Sequence, residues 1–445
     1  MIKPMRKRRY WRSLLWQIPL VMLGVYWIYG LWISLVPKIT LSIDEVPWIL
    51  DAQFYTHRRN NNWERFSLPK DFKYLRWETQ KRRLLDQPQF GKYLIGFLLQ
   101  STGRKMVDEE TSTRLYAIVH TDVLPTGKTL EEAAIILGSE VTDAILLIRY
   151  ASVAAGLLAI LFLAWIATNI TRDWKIGFSI AVFSAWHPLI RNTFGIATAD
   201  AFFVLFLLIS GTALVATLHQ LPRLSNSRIF LSSFVLGMLI ACTTSIKLPG
   251  VFLLFFPWLY FSLLCLTHPS TISKQQWKRF LFFCAGYTLS FLATFFFLEP
   301  EIWADPIRGT GALFGSRILQ QELFYRAFGQ FSFLEMPLYI LTVFISISKY
   351  RIVQSLLTLL LLFGWYSLLR RAKNDPQSHS LLSLSIFWIV VNIAYARVKL
   401  PGFERYLIPT LLILILVTSV GLKQATTWIT NTLQSNAHKY KTQKA

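Results

Sequence analysis

Asp44 and Glu45 stand side by side a few residues past the first long apolar stretch and directly before the apolar run Val46 to Leu50. A carboxylate at such a boundary titrates higher when it loses water, or lower when an Arg or Lys approaches, and it can serve as general base for an acceptor hydroxyl. The spacing is equally that of a solvated or helix-capping acidic pair. Lys247, Arg397, Lys399 and Arg405 sit at the ends of later apolar stretches. There Arg offers a phosphate a bidentate fork and Lys a point charge, and the same residues also suit plain anchoring among lipid headgroups. Asp200 lies just inside an apolar stretch, where an acid is costly and asks for a partner or a part in shaping a cavity.

Other chemistries find little support. His187 has no second ligand at a fixed spacing and makes no metal motif, so no metal and no cofactor are expected. Cys242, Cys265 and Cys284 all fall in apolar helical stretches without CxxC or His pairing and read as packing residues. No P-loop, GxGxxG fingerprint or nucleophile elbow stands in a strand-turn-helix setting, which points away from nucleotide-powered chemistry.

The elements that must position these residues are membrane helices. Of 445 residues, 53% are hydrophobic, and stretches of the roughly 20 apolar residues that cross a bilayer recur along most of the chain. The net charge of +22 gathers at the ends of those stretches, beginning with Lys3, Arg6, Lys7, Arg8, Arg9 and Arg12. That distribution marks a cytoplasmic amino terminus by the positive-inside rule rather than a nucleic-acid surface. Spans are expected near 14–36, 146–170, 176–191, 194–218, 229–246, 248–267, 280–298, 332–349, 353–369, 381–397 and 406–422. Links holding Arg172 and Lys175, Arg223 and Arg228, and Lys274, Lys278 and Arg279 then fall inside. Strict alternation would put Arg370, Arg371 and Lys373 outside. An interfacial or re-entrant helix at 332–349 removes that conflict and leaves ten spans instead of eleven.

The fold class is therefore an all-α polytopic membrane protein. A basic amino terminus (1–13) leads into the first span (14–36) and a long extracytoplasmic loop (37–145), followed by spans over 146–298, a second outer loop (299–331), the last spans (332–422) and a polar tail (423–445). Within the first loop Phe90, Tyr93, Leu94, Phe97 and Leu98 repeat as one apolar helix face, expected to lie along the membrane surface. No internal repeat is visible, which weakens an inverted-repeat transporter.

Several ordered motifs resemble those of the membrane-embedded glycosyltransferases of the protein O-mannosyltransferase and lipid A aminoarabinose-transferase type, with the fold called GT-C. Ile43-Asp44-Glu45 is similar to that family's acidic motif in the first outer loop, and Asp86 through Lys92 to its D-H-P-P-L-G-K segment. Arg149 opens the second span as in family members, and Arg191 through Asp200 resembles the stretch opening the fourth. Glu299 through Pro306 resembles N-P-x-L-W-x-D-P, and Arg405-Tyr406-Leu407-Ile408-Pro409 resembles R-Y-L-L-P. Gln87 and Gln89 replace the usual His and second Pro, and about forty extra residues separate Lys92 from the second span.

The resemblance implies an inverting transfer of a sugar from a polyprenyl-phosphate donor on the extracytoplasmic side of an inner (plasma) membrane, with membrane lipids as surroundings and no nucleic acid involved. It implies catalytic roles for Asp44 and Glu45, phosphate binding by Arg405, Lys247, Arg397 and Lys399, and a substrate cavity with Asp86, Lys92, Arg191, Asp200, Trp303 and Asp305. The acceptor, whether protein, lipid or polysaccharide, stays open. The alternatives are a transporter or flippase for a lipid-linked or small polar substrate, and a structural membrane subunit.

Overall fold

The computed structural model describes residues 30, 32–42, 44–66, 88–104, 111, 114–115, 118, 127–267, 273–372, 374–399 and 403–444. The helices in chain order are α1 (Glu45–Asp51), α2 (Gln53–Arg59), α3 (Gln89–Ser101), α4 (Leu130–Leu137), α5 (Ser139–Thr171), α6 (Trp174–Trp186), α7 (Pro188–Phe194) and α8 (Asp200–Gln220). They continue as α9 (Asn226–Ile246), α10 (Phe256–Thr267), α11 (Lys274–Leu298), α12 (Pro306–Phe328), α13 (Glu335–Ile345), α14 (Arg351–Arg371), α15 (Pro376–Tyr395) and α16 (Ile408–Lys444). Among the described residues there is no strand beyond the isolated bridges Thr40–Thr129 and Gln330–Val398. The protein is an all-α polytopic membrane protein: 8 of its described helical segments are long and apolar enough to cross a membrane.

Local sequence sets where these helices begin. Thr129 and Ser273 form capping boxes with Glu132 and Gln276, and Asp173 and Asp305 accept from the first-turn amides of α6 and α12. Small residues set how closely the spans pack. A Cβ on Gly237 of α9 would lie 2.4 Å from the Tyr287 carbonyl of α11, and one on Gly421 of α16 only 1.9 Å from the Leu360 carbonyl of α14. Such backbone approach is how helices gain contact in lipid, where no hydrophobic force draws them together. α16 is the axis of the bundle, since 83% of its most apolar window is buried against 22% for α14.

The structure revises two expected spans and shortens a third stretch that alternation had already marked as interfacial or re-entrant. The segment 176–191 is two helices, broken where His187 adopts an extended conformation before Pro188, as the steric demand of proline on its predecessor requires. The following span starts at Asp200, not 194. The 332–349 segment is α13, 11 residues long, and so about 16 Å, half a bilayer core. It does not cross.

That short helix resolves the conflict over the late arginines. One end of the bundle holds Arg172, Arg223 and Lys274, drawn together by Lys423 on Asp173 (2.9 Å), Arg279 on the Pro222 carbonyl, and Phe261 against Trp277 (4.7 Å). His379 packs edge-on against Tyr260 at 5.1 Å, so α15 begins at this same end, and the link 372–375 brings Arg370 and Arg371 there too. All the basic links named above share one face. The expected first span, 14–36, lies mostly outside the described residues.

The amphipathic helix of the first loop exists as α3 but is wedged inward. Gly91 and Gly96 allow it to close against Trp48 and against Ala52 and Tyr55, burying Lys92, Ile95 and Leu99. Of the expected apolar stripe only Phe97 is exposed, at 53%; Phe90, Leu94 and Leu98 are half-buried against the core and Tyr93 is buried in the protein.

Candidate functional site

At the end of the bundle opposite the basic links, four chain segments converge: 40–45 before α1, 195–200 before α8, Lys247 after α9, and the 3-10 turn Phe403–Leu407 before α16. The scaffold that joins them is a buried ion pair. Arg149, in the upper part of α5, donates from Nε and Nη2 to the two Glu45 carboxylate oxygens at 2.7 and 2.8 Å, and from Nη1 to the Val36 and Ile39 carbonyls at 2.6 and 3.0 Å. Glu45 also accepts from the Ala197 amide (2.6 Å) and the Ser42 amide (2.8 Å). Both side chains are fully buried. Glu45, expected as a catalytic group, is thus a structural tie whose two oxygens are taken.

Asp44 is different. Its side chain remains 33% exposed and pairs with Arg405, which is 18% exposed. Beside this pair, Asp200 and Lys247 form a second one, almost wholly buried, in which Asp200 also accepts from Thr198 Oγ1 at 2.8 Å. The Tyr406 ring lies between the two cations, 5.1 Å from Lys247 Nζ and 5.6 Å from the Arg405 guanidinium carbon. A small cavity is lined jointly by Asp200, Lys247, Arg405, Tyr406, Trp388 and Pro409.

That cavity adjoins a much larger one. A groove of about 420 Å³ runs between α5, α8, α15 and α16, and it shares Trp388 and Pro409 with the small cavity. From there it descends past Leu208, Leu384, Leu412 and Ile413 to Asn169, His219 and Gln220 near the basic end. Trp165 on its flank is 55% exposed, so the groove opens on the lateral, lipid-facing side of the bundle.

The other expected site residues have different placements. Arg397 donates to Gln330 Oε1 (2.5 Å) and lies 4.0 Å over the Phe333 ring, and Lys399 lies 5.0 Å over Phe331 and 3.9 Å from Glu335. Both therefore hold the connection between α12 and α13 and not the cavity lined by Arg405. Trp303 donates its indole N–H to the Phe296 carbonyl (2.6 Å) and packs on Trp63, while Asp305 caps α12 through the Arg308 amide (3.0 Å). These contacts fix the turn that leads into α12. Lys92 is fully buried, 3.8 Å from Asp51 and over the Phe54 ring, so it lines no open cavity. Arg191 lines a separate pocket with Lys38. Asp86 lies outside the described residues.

Sequence reasoning gave Arg149 only a family match and passed over the pairing of Glu299 with Glu301. A single arginine opening a long apolar span is a signal that a buried acid must meet it. Glu299 and Glu301 are both buried at the end of α11, and the Gln89 amide donates to Glu299 at 3.0 Å. Burial pushes both carboxyls above the usual range; the neighbouring Glu301 charge adds to the rise at Glu299, and Lys92 opposes it at Glu301. No known protein-family model and no curated protein matches the chain in sequence.

Proposed function

We propose that the protein is a glycosyltransferase that moves a sugar from a polyprenyl-phosphate donor to an acceptor hydroxyl at the extracytoplasmic face of a cell membrane. The observation that carries this reading is the joining of two features: a partly open Asp44–Arg405 pair beside Asp200–Lys247, and a lateral apolar groove that meets them at Trp388 and Pro409. A polyprenyl chain suits the groove, and its phosphate then reaches the cations. The positive-inside rule supports this side, because the links holding Arg172, Arg223, Lys274 and Arg370 lie at the other end.

In the proposed reaction the donor phosphate draws Arg405 from Asp44, which frees the carboxylate. Asp44 takes the acceptor hydroxyl proton as the acceptor oxygen attacks the anomeric carbon. The bond from that carbon to the phosphate oxygen breaks, its electron pair leaves with polyprenyl phosphate, and the configuration inverts. Arg405 and Lys247 offset the charge on the leaving phosphate, an electrostatic effect strengthened by the low-dielectric surroundings. Asp200 holds Lys247 in position.

The test is transfer of radiolabelled sugar from polyprenyl-phosphate donors to membrane acceptors by the native protein and by Asp44→Asn at equal expression. Loss of transfer with donor binding retained supports the assignment. Undiminished transfer by Asp44→Asn removes it from the role of base, and failure of the native protein with every donor favours a transporter.

A further inference from the structure

A second pocket of about 140 Å³ lies between the 3-10 turn Val36–Lys38 and α7, on the other face of the loops that carry Asp44 and Asp200. Trp32, Leu35, Val36 and Val153 make its apolar wall, and Lys38 and Arg191 bring two cations to it. Lys38 is exposed, Arg191 is half-buried, and neither forms an ion pair with a described residue. Among the described residues no carboxylate lines the pocket.

Two like charges facing one small pocket repel each other, and an anion between them turns that repulsion into attraction. A guanidinium fork and an ammonium together suit phosphate. The wall adds a second requirement. Leu35 is 39% exposed beside the pocket, so a ligand that brings hydrocarbon covers apolar surface that a free anion would leave in contact with water. From this geometry we infer that the pocket is a binding site for a phosphate-bearing lipid of the surrounding leaflet, its phosphate between Lys38 and Arg191 and its upper chain carbons along Leu35 and Trp32. The site is independent of the proposed transfer reaction. It is nonetheless coupled to those loops: Ile39 packs under Gly195, where a Cβ would come within 2.4 Å, and two residues on the Ala197 amide holds Glu45.

The experiment is native mass spectrometry of the full chain with phosphatidylglycerol, phosphatidylcholine of matched chains, or sodium phosphate. Phosphatidylglycerol is expected to bind more tightly than phosphatidylcholine, and Lys38→Gln/Arg191→Gln to lose about thirty-fold of that affinity, the size set by two interfacial cations. Lys349→Gln/Arg351→Gln, a basic pair outside the pocket, should leave it unchanged. Arg191→Lys retains the charge and should retain most of the binding, which covers the case in which the double variant does not fold. Equal binding of the two lipids, or full retention by the double variant, overturns the site. Inorganic phosphate binding as tightly as the lipid overturns the lipid part. A Arg405→Gln variant that loses sugar transfer yet keeps phosphatidylglycerol separates this result from the fate of the transferase reading.

Discussion

Asp44 and Glu45 are neighbours in the chain with opposite fates: the Glu45 carboxylate is held by Arg149 at 2.7 and 2.8 Å with no exposure, whereas the Asp44 carboxylate pairs with Arg405 and keeps a third of its surface open. The rotation of successive residues at the start of α1 turns one acid into the bundle and leaves the other partly exposed beside Arg405. This division of labour sets the first two expectations.

Breaking the Glu45–Arg149 pair on one side strands a buried charge. Arg149→Met should destabilise the protein by about 3–5 kcal/mol, and Glu45→Gln/Arg149→Met by less than the sum of the single changes. Thermal unfolding of the purified protein in detergent measures both.

Asp44→Asn should leave the melting temperature within a few degrees of native, since the pair is partly exposed and little stability rests on it. Sugar transfer, under the proposed function, should fall about 10²- to 10⁴-fold in kcat, the usual worth of a general base. A fall confined to KM would point to binding rather than proton transfer.

Arg405→Lys tests the fork against the point charge. It retains a positive group but loses bidentate reach, so donor KM should rise with a smaller change in kcat. Steady-state transfer at varied donor concentration separates the two parameters.

Glu299 and Glu301 give a pH dependence. Burial raises both carboxyls in the folded protein, so it binds more protons than the unfolded chain. Their stabilising contribution is full below the ordinary Glu value of about 4.3 and is lost as pH rises through the elevated folded values. Melting temperature should therefore decline with rising pH above that point, and Glu299→Gln, which cannot ionise, should flatten the decline.

The contact of α14 with α16 at Gly364 and Gly421 has no space for a side chain. Gly421→Val should cost at least about 1–3 kcal/mol through overpacking, seen as a lower melting temperature and lower yield from membranes.

The membrane class and most helices were legible because runs of apolar residues ending in Lys or Arg have few other meanings. Boundaries failed where a local break outweighed the run, as at His187–Pro188, whereas at 332–349 the conflict over the late arginines already pointed to a helix that does not cross, and α13 has half the needed length. Asp44, Asp200, Lys247 and Arg405 come together in the structure, but which acid pairs with which base is a matter of helix rotation that spacing does not contain. Glu45, Trp303 and Asp305 belong to the same motifs, and their contacts, an ion pair with Arg149, an indole bond to the Phe296 carbonyl and a cap on α12, could not be read from spacing either. Of the stretch from Asp86 to Lys92, only Asp86 and Gln87 fall outside the described residues.

Because the large groove faces sideways, past the exposed Trp165, a molecule that fills it arrives by diffusion in two dimensions. The quantity that governs occupancy is then the mole fraction of that molecule in the surrounding bilayer and not its molarity in the sample. Diluting the preparation with buffer should leave occupancy unchanged, and diluting it with inert lipid should lower it.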